Sequence, residues 1–271
     1  MALDRPATPP DRPETPSTPD APPDPRAVPD LTRAEAFASH RYWSEVSRFS
    51  ALWAAHKERW AAEPKKRDQP GGAAPAEVAD SIARVKAAET VISSDVEAVA
   101  SDNSPRGWLE GFSFRLKGEG RLAEKVASAR ESSSPDATIG EIVQQIPDAI
   151  RYTFCFAASD YTSGYFEVTQ RLEARGYRMY KCRNSWADSE YKGVNTRWVT
   201  SEGQRFEVQF HTPESFHAKH EVTHGAYERI RDSATTANER RDLSVFQQEV
   251  SSRVPVPARV SDIADHSERG Y

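Results

Sequence analysis

Carboxylates and cations beside apolar runs are the residues of this sequence best suited to chemistry. Asp148 and Arg151 stand at the start of an apolar run over 150–156, and Glu207 stands in the alternating stretch FEVQFHT. Magnesium prefers a few carboxylates together with phosphate oxygens and water, so Asp148 and Glu207 would suffice to hold it, while an arginine can bind phosphate. The competing interpretations are a helix cap or ion pair at Asp148 and plain solvent exposure at Glu207.

The stretch around Glu207 predicts a strand with one polar and one apolar face. Glu207, Gln209 and His211 alternate with three apolar residues, and side chains two apart along a strand point to the same face. A polar face with no charge balance of its own favours a cleft over bulk solvent. The pattern therefore predicts that these three residues line a site.

Four cations follow one another in FRLKGEGRLAEK. Arg115 and Lys117 alternate on a predicted strand and should point the same way, while Arg121 and Lys125 lie one helical turn apart. Arginine offers bidentate hydrogen bonds and lysine a compact charge, which together suit a polyphosphate. The alternative is a solvated basic edge.

The stretch EYKGVNTRW indicates a place for a nucleotide base. Tyr191 could stack on a purine, and Lys192 beside it could approach phosphate or ribose. The alternative is a surface tyrosine at the start of a strand.

The sequence also contains HEVTH, which matches the zinc-peptidase pattern. His220 and His224 would share a helix face and hold zinc, Glu221 would polarise its water, and Glu239 could be a third ligand. Three fixed positions arise readily by chance in a helix rich in histidine, and nothing around them is typical of a peptidase. The preferred interpretation is a polar helix face, with a zinc peptidase as the rival enzyme class.

Alternating helical and strand patterns could position these residues. Period-two patterns predict strands at Phe112 to Leu116, at 150–156 and in the three stretches YRMYKCRN, GVNTRWVT and QRFEVQFHT. We therefore expect an α+β fold, a mixed sheet of about five strands flanked by helices. Helical spacing predicts helices over 76–100, 164–175, 214–231 and 237–250, with short helices after 118 and before 150.

Composition divides the chain into four parts. Residues 1–30 hold ten of the nineteen prolines and predict a disordered tail, which would suit a bare leader or the end of a linker. The remaining parts are an N-terminal helical region over 31–104 with a linker near 64–75, a core over 105–232, and a C-terminal helix and loose tail over 233–271.

Charge and cysteine content exclude several classes of protein. A net charge of −5 argues against tight, sequence-independent nucleic-acid binding, although a local basic pocket remains possible. Two cysteines are too few for a disulfide scaffold, so a reducing compartment is expected. Because no apolar run approaches eighteen residues and no export signal is recognisable, we expect a soluble, cytoplasmic site of action without a membrane partner.

Taken in order, these motifs resemble those of the RelA/SpoT family of nucleotide pyrophosphokinases, the alarmone synthetases. The family carries R-x-K…S-x-x-x-K, then D-x-x-G-I-R, then Y-[KR]-S-L-H, then E-x-Q-x-R-T followed by a helix with a histidine. The resemblance covers about 105–230. The matching residues here are Arg115-Leu-Lys117…Arg121-Leu-Ala-Glu-Lys125, Asp148-Ala-Ile-Arg151, Tyr191-Lys192-Gly193-Val194-Asn195 and Glu207-Val-Gln209-Phe-His211-Thr212, with His224 after them.

The resemblance implies a nucleotidyltransferase-like synthetase core and magnesium-dependent transfer of pyrophosphate from ATP to a ribose 3′-hydroxyl. Asp148 and Glu207 would hold Mg²⁺, with Glu207 assisting the metal or activating the hydroxyl. Arg151 would join them at the catalytic centre, and His224 would lie behind the site. On the ATP side stand Arg115, Lys117, Arg121 and Lys125, and on the acceptor side Tyr191, Lys192, Asn195, Gln209 and His211.

Departures from the family pattern leave the acceptor open. Arg121 replaces a serine, Asn195 a histidine and His211 an arginine, and the stretch from Asp148 to Arg151 lacks the family's glycine. The acceptor could be GDP or GTP, as in the stringent response, an adenine nucleotide, or the 3′ end of tRNA. A growth-inhibitory toxin with an antitoxin or immunity partner, a homo-oligomer, and a non-catalytic nucleotide-binding module are further interpretations.

Overall fold

The structure is a computed structural model that describes residues 76–268. The sequence predictions for the Pro-rich tail, the helix that follows it and the linker near 64–75 lie outside these residues. Within the described part, no helix is long and apolar enough to cross a bilayer. Its α-helices are α1 (Ala76–Asp102), α2 (Glu119–Ser132), α3 (Ile139–Gln144), α4 (Tyr161–Ala174), α5 (Pro213–His217), α6 (His224–Arg231) and α7 (Ala237–Ser252).

One mixed sheet organises the fold, as the α+β prediction requires. Its order is β1-β2-β5-β4-β3-β6, and only β2 and β5 run parallel to one another. The sheet has six strands, one more than predicted, because a two-residue strand adds to each edge while the strand predicted at Phe112 to Leu116 does not form. The strands are β1 (Trp108–Leu109), β2 (Arg151–Cys155), β3 (Arg178–Asn184), β4 (Val194–Val199), β5 (Arg205–His211) and β6 (His266–Ser267).

The two faces of this sheet differ in chemistry. Strand register places Arg151 beside Glu207, and Gln209 beside Asn195, so that polar side chains from neighbouring strands share what we call the polar face. The alternate residues form the apolar face, which belongs to the core with α1, α3 and α4. Its fully buried members include Phe154, Phe206, Val208, Phe210 and Trp198.

Local sequence explains several element boundaries. Thr138 caps α3 and exchanges hydrogen bonds with Glu141, and Gly176 closes the segment after α4 at a φ of 86°, a conformation that favours glycine. Helix α1 buries a stripe at helical spacing that includes Val78, Ile82 and Val85, whereas Val91 is exposed.

Four sequence predictions about elements need correction. Residues 112–114 form a 3₁₀ turn rather than a strand, because Gly111 starts a tight turn at φ 63° and only Leu116 pairs with Ile150. The helix predicted over 214–231 is interrupted by a π-helical turn, Ala218–Val222. The predicted helix over 164–175 begins earlier, at Tyr161.

The fourth correction concerns the segment after α7, which packs on the core instead of lying loose. Val260 and Ile263 are buried, and β6 pairs with β3. Asn184 donates from Nδ2 to the carbonyls of Val260 and Ile263, at 2.8 Å each.

Candidate active site

A charged cluster gathers at the N-terminal end of β2. Lys125 Nζ lies 2.7 and 2.6 Å from the two carboxylate oxygens of Asp148, and Lys117 Nζ lies 3.3 Å from one of them. Arg151 bridges two acids, with its Nη2 3.4 Å from Asp148 and its Nε 3.0 Å from Oε2 of Glu207. These five residues, Lys117, Lys125, Asp148, Arg151 and Glu207, are called the charged cluster below.

Backbone pairing brings the cluster together from distant segments. Lys117 donates its N–H to the carbonyl of Ala149 at 2.9 Å, and Arg151 donates to the carbonyl of Arg115 at 2.7 Å. Parallel register then sets Glu207 directly beside Arg151. Helix α2 supplies Lys125, so four segments meet in the charged cluster.

Electrostatics favours the ionised form of Asp148. Burial would raise its pKa, but the hydrogen bond from Lys125 and the charges of Lys117, Lys125 and Arg151 hold the pKa below its ordinary value. Burial lowers the pKa of Lys117, and its neighbours Lys125 and Arg151 add to this shift. The cluster therefore crowds three cations around two carboxylates.

Two of the four cations predicted to grip phosphate lie apart from the cluster. Arg115 Nε donates to Glu89 Oε1 at 2.5 Å and to Ser93 Oγ at 3.0 Å, and its guanidinium lies 4.3 Å from the centroid of the Phe112 ring. Because 112–114 is not a strand, Arg115 and Lys117 do not point the same way. Arg121 is exposed on α2, one turn before Lys125.

At the other end of the polar face, four uncharged side chains form a hydrogen-bonded chain. The Tyr191 hydroxyl lies 2.9 Å from Asn195 Oδ1 and 3.0 Å from His211 Nε2, and His211 Nδ1 lies 2.8 Å from Ser215 Oγ. We call Tyr191, Asn195, His211 and Ser215 the tyrosine chain. It includes three residues predicted for the acceptor side, together with Ser215, which sequence reasoning missed.

The direction of the hydrogen bonds in this chain follows from its chemistry. An amide oxygen only accepts, so Tyr191 donates to Asn195 and accepts from a protonated Nε2 of His211. His211 Nδ1 then accepts from the Ser215 hydroxyl, which also lies 3.2 Å from the Thr212 carbonyl oxygen and accepts from the N–H of Thr212 at 3.0 Å. Burial lowers the pKa of His211 well below its ordinary value, which keeps the ring neutral. His211 has 0% exposed surface, so its ring is not accessible to direct contact with a ligand.

Lys192, predicted to approach the acceptor, is held by a neighbouring loop. Its Nζ donates to the carbonyls of Trp186 at 3.0 Å and Asp188 at 2.5 Å. The structure therefore ties this ammonium to backbone carbonyls.

A lysine that the sequence analysis did not single out occupies the middle of the polar face. Lys219 Nζ donates to Gln209 Oε1 at 2.5 Å and lies 5.3 Å from the centroid of the Tyr191 ring. Its half-buried side chain extends from the π-helical turn, which no residue pattern had predicted. In the sequence, the only signal of this residue is its position, eight residues after His211.

The HEVTH segment does not assemble a metal site in the described part of the chain. Residues 76–268 contain no group of three or more His, Cys, Asp or Glu side chains placed to hold a metal ion. The His220 ring packs on the Phe216 ring at 4.2 Å, and His224 is exposed at the start of α6, after the π-helical turn. Glu239, the third ligand considered, accepts from Arg229 at 2.8 Å.

Comparison with known proteins gives likeness of structure without likeness of sequence. No family model matches the sequence, and no curated protein matches it. Among solved structures, a complex of the type VI effector Tas1 with its immunity protein aligns at 18% identity and a TM-score of 0.47. That alignment covers 66% of this chain and 96% of the other.

Two further structures align over a similar part of the chain. The small alarmone synthetase 1 from Bacillus subtilis, bound to its product pppGpp, aligns at 15% identity and a TM-score of 0.39, over 64% of this chain and 88% of the other. A GTP pyrophosphokinase family protein from Streptococcus pneumoniae aligns at 14% identity and a TM-score of 0.38, over 64% and 85%. At TM-scores below 0.5 these likenesses decide nothing about function, which is argued from the side chains of the site.

Proposed function

We propose that this protein transfers pyrophosphate from ATP to the ribose 3′-hydroxyl of a purine nucleotide, with magnesium as cofactor. The observation that carries the proposal is the charged cluster, in which Arg151 joins Asp148 to Glu207 beside two lysines. Phosphoryl-type transfer needs mainly positioned cations and a metal, because the charge on the transferred group must be neutralised.

The cations of the cluster suit a polyphosphate. Lys117, Lys125 and Arg151 all contact one carboxylate, Asp148, which can neutralise only one of them. Phosphate oxygens of ATP offer these groups several charge-assisted hydrogen bonds. As the cations turn to phosphate, the carboxylate of Asp148 is released for a metal.

The residues present fit magnesium. Asp148 and Glu207 offer hard oxygen donors on either side of Arg151, and Mg²⁺ is commonly held by one or two carboxylates together with substrate phosphates and water. When bound, the ion would neutralise charge on the phosphates of ATP.

In the proposed reaction Glu207 receives the proton of the acceptor hydroxyl. In the reaction the 3′-oxygen forms a bond to the β-phosphorus of ATP, the bond from that phosphorus to the α,β-bridging oxygen breaks, and AMP leaves. The hydroxyl proton passes to the Glu207 carboxylate. The acceptor base stacks on Tyr191, whose ring the tyrosine chain holds in place.

An acceptor panel tests the proposal. The protein is incubated with magnesium, ATP labelled at the γ-phosphate, and GDP, GTP, ADP, unlabelled ATP or tRNA in turn. We expect label on a purine nucleotide and release of AMP, both lost in Glu207→Gln. Label on tRNA alone would show that the acceptor is the 3′ end of RNA rather than a free nucleotide. No labelled acceptor with either protein would reject the transfer, and tight ATP binding would then indicate a non-catalytic nucleotide-binding module.

A further inference from the structure

Lys219 is placed where an ordinary surface lysine would not be. Its side chain is half-buried against the polar face, and burial together with the charge of Arg151 lowers its pKa to about 7. Across residues 76–268, no carboxylate lies within ion-pair distance of its ammonium. A cation held this way lacks part of the polar surroundings that would compensate its burial.

The order of side chains along β5 locates Lys219 within the site. Glu207, Gln209 and His211 follow one another on one face, with alternate residues about 7 Å apart. Glu207 belongs to the charged cluster, and His211 holds the Tyr191 ring. Gln209 and the ammonium of Lys219 therefore lie between the Glu207 carboxylate and the Tyr191 ring.

A nucleoside laid along this face has its ribose over that midpoint. With its base on Tyr191 and its 3′-hydroxyl at Glu207, the sugar must pass Gln209 and Lys219. In that position the 2′-hydroxyl, neighbour of the reacting 3′-hydroxyl, would be the ribose group within reach of Lys219 and Gln209.

Hydrogen-bond chemistry fixes what these two residues offer. A lysine ammonium only donates, so the contact at 2.5 Å orients Gln209 with its oxygen toward Lys219 and its NH₂ away. Lys219 keeps two further N–H groups, and Gln209 keeps its amide donors. A hydroxyl oxygen has two lone pairs and can accept from both residues at once.

We propose that Lys219, supported by Gln209, binds the 2′-hydroxyl of the acceptor and makes the site selective for ribonucleotides over 2′-deoxyribonucleotides. This inference rests on the proposed function for the position of the acceptor. Lys219 thereby orients the neighbouring 3′-hydroxyl toward Glu207. The 2′-hydroxyl is also the group by which proteins distinguish RNA from DNA components.

The test compares pairs of acceptors that differ only at the 2′ position. Transfer from ATP to GDP, and to ADP, is measured beside transfer to the matching 2′-deoxynucleoside diphosphate. We expect the wild type to prefer the ribonucleotide in kcat/KM by roughly 10- to 100-fold, the range of one hydrogen bond to a charged group. In Lys219→Met the preference falls toward one, through slower transfer to the ribonucleotide, and Lys219→Arg restores part of it.

Lys181→Met provides the matched control. Lys181 is a half-buried lysine of the same sheet, opposite Arg197 in register and outside the candidate site. This variant should keep the wild-type ratio of kcat/KM for the ribonucleotide to kcat/KM for the 2′-deoxyribonucleotide. Equal use of both acceptors by the wild type, or an unchanged ratio in Lys219→Met, would overturn the inference while leaving the transfer reaction intact.

Failure of the proposed function gives a different result. If no acceptor gains label, the dissociation constants of the wild type and Lys219→Met for GDP, ADP and their 2′-deoxy analogues decide instead. A ribonucleotide preference that disappears in Lys219→Met would support the inference as a binding property. Equal affinities of the wild type for each pair would reject it.

Discussion

The two ends of the polar face differ in the chemistry that they offer to a ligand. At one end the charged cluster places three cations and two carboxylates within ion-pair distance of one another. At the other end the tyrosine chain is uncharged, and hydrogen bonds join its four side chains to one another. The first end suits a flexible, highly charged polyphosphate, whereas the second fixes one aromatic ring.

This difference separates strength from selectivity. Charge attraction is long-ranged and tolerates small displacements, so the charged cluster can rearrange as ATP and magnesium enter. The tyrosine chain cannot shift without breaking a hydrogen bond of a buried polar group, which costs about 1–3 kcal/mol. We therefore expect substitutions at the first end to change the rate, and those at the second to change acceptor binding and stability.

The largest effect is expected at Asp148. Asp148→Asn removes the carboxylate proposed to hold magnesium but leaves all three cations, so transfer should slow about 10²- to 10³-fold. The dissociation constant of Asp148→Asn for ATP, measured without magnesium, should not rise above that of the wild type. Labelled-product kinetics and titration measure the two quantities, with Asp136→Asn at an exposed position as control. More than a tenth of wild-type activity in Asp148→Asn would contradict a metal role.

At the uncharged end, Tyr191→Ala should act on the acceptor alone. Loss of base stacking is expected to raise the acceptor KM roughly 10- to 100-fold, since such stacking contributes about 1–3 kcal/mol per base. The KM for ATP should remain unchanged. Steady-state kinetics with each substrate varied in turn tests this, and Tyr227→Ala, at an exposed tyrosine of α6, is the matched control. Equal changes in both KM values would erase the contrast between the two ends.

The tight packing of the tyrosine chain can be tested through Gly193. A Cβ there would lie 2.8 Å from His211 Cε1, 2.9 Å from the Tyr191 hydroxyl and 3.1 Å from the Phe210 carbonyl oxygen. Gly193→Ala should therefore lower the free energy of unfolding by about 1–3 kcal/mol, the usual cost of overpacking. Denaturant unfolding measures it. In Gly120→Ala, where nothing lies within 4 Å of the added Cβ, stability should stay the same or rise slightly.

The smallest effect is the dependence of stability on pH. The two ends of the polar face differ in the pH range over which stability is lost. The pKa of His211 is lowered by burial, so its contribution is complete above about pH 6.5 and is lost as pH falls from there toward the folded value. The pKa of Asp148 is also lowered, so its contribution is present above pH 3.8 and is lost only as pH falls through its folded value.

The wild type should lose up to about 1.4 kcal/mol per pH unit to His211 below pH 6.5, and His211→Gln should lack that part of the slope. Denaturant unfolding between pH 7 and pH 5 measures it. The exposed His224, changed to Gln, should leave the slope as it is. An identical slope in wild type and His211→Gln would show that this ring is not held neutral.

Much of this arrangement was predictable because strands carry a period of two. Alternation in β5 predicted that Glu207, Gln209 and His211 share a face, and the apolar run after Asp148 predicted the strand beside it. Three-dimensional neighbours were harder to predict. The bond from Arg115 to Glu89 joins residues 26 apart, and a buried glutamate on α1 carries no sequence signal that names its partner.

The failures also have physical causes. The stretch Phe112 to Leu116 alternates as a strand would, but the left-handed Gly111 turns the backbone before a ladder can form. Lys219 was missed because its direction depends on the π-helical turn, and helix propensity does not distinguish an α-turn from a π-turn. The residues after α7 were predicted to form a loose tail, although their apolar residues pack on the core.

The π-helical turn at 218–222 is what remains when one residue is inserted into an α-helix. The hydrogen bond from the Thr223 N–H to the Ala218 carbonyl spans five residues instead of four. In evolutionary terms, the position of Lys219 over the sheet is then one insertion away from a continuous helix. Deleting a single residue after Lys219 would restore the α-helical repeat and rotate α6 by about 100° relative to α5. Relatives that differ by one residue here should therefore differ in which face of α6 packs against α7.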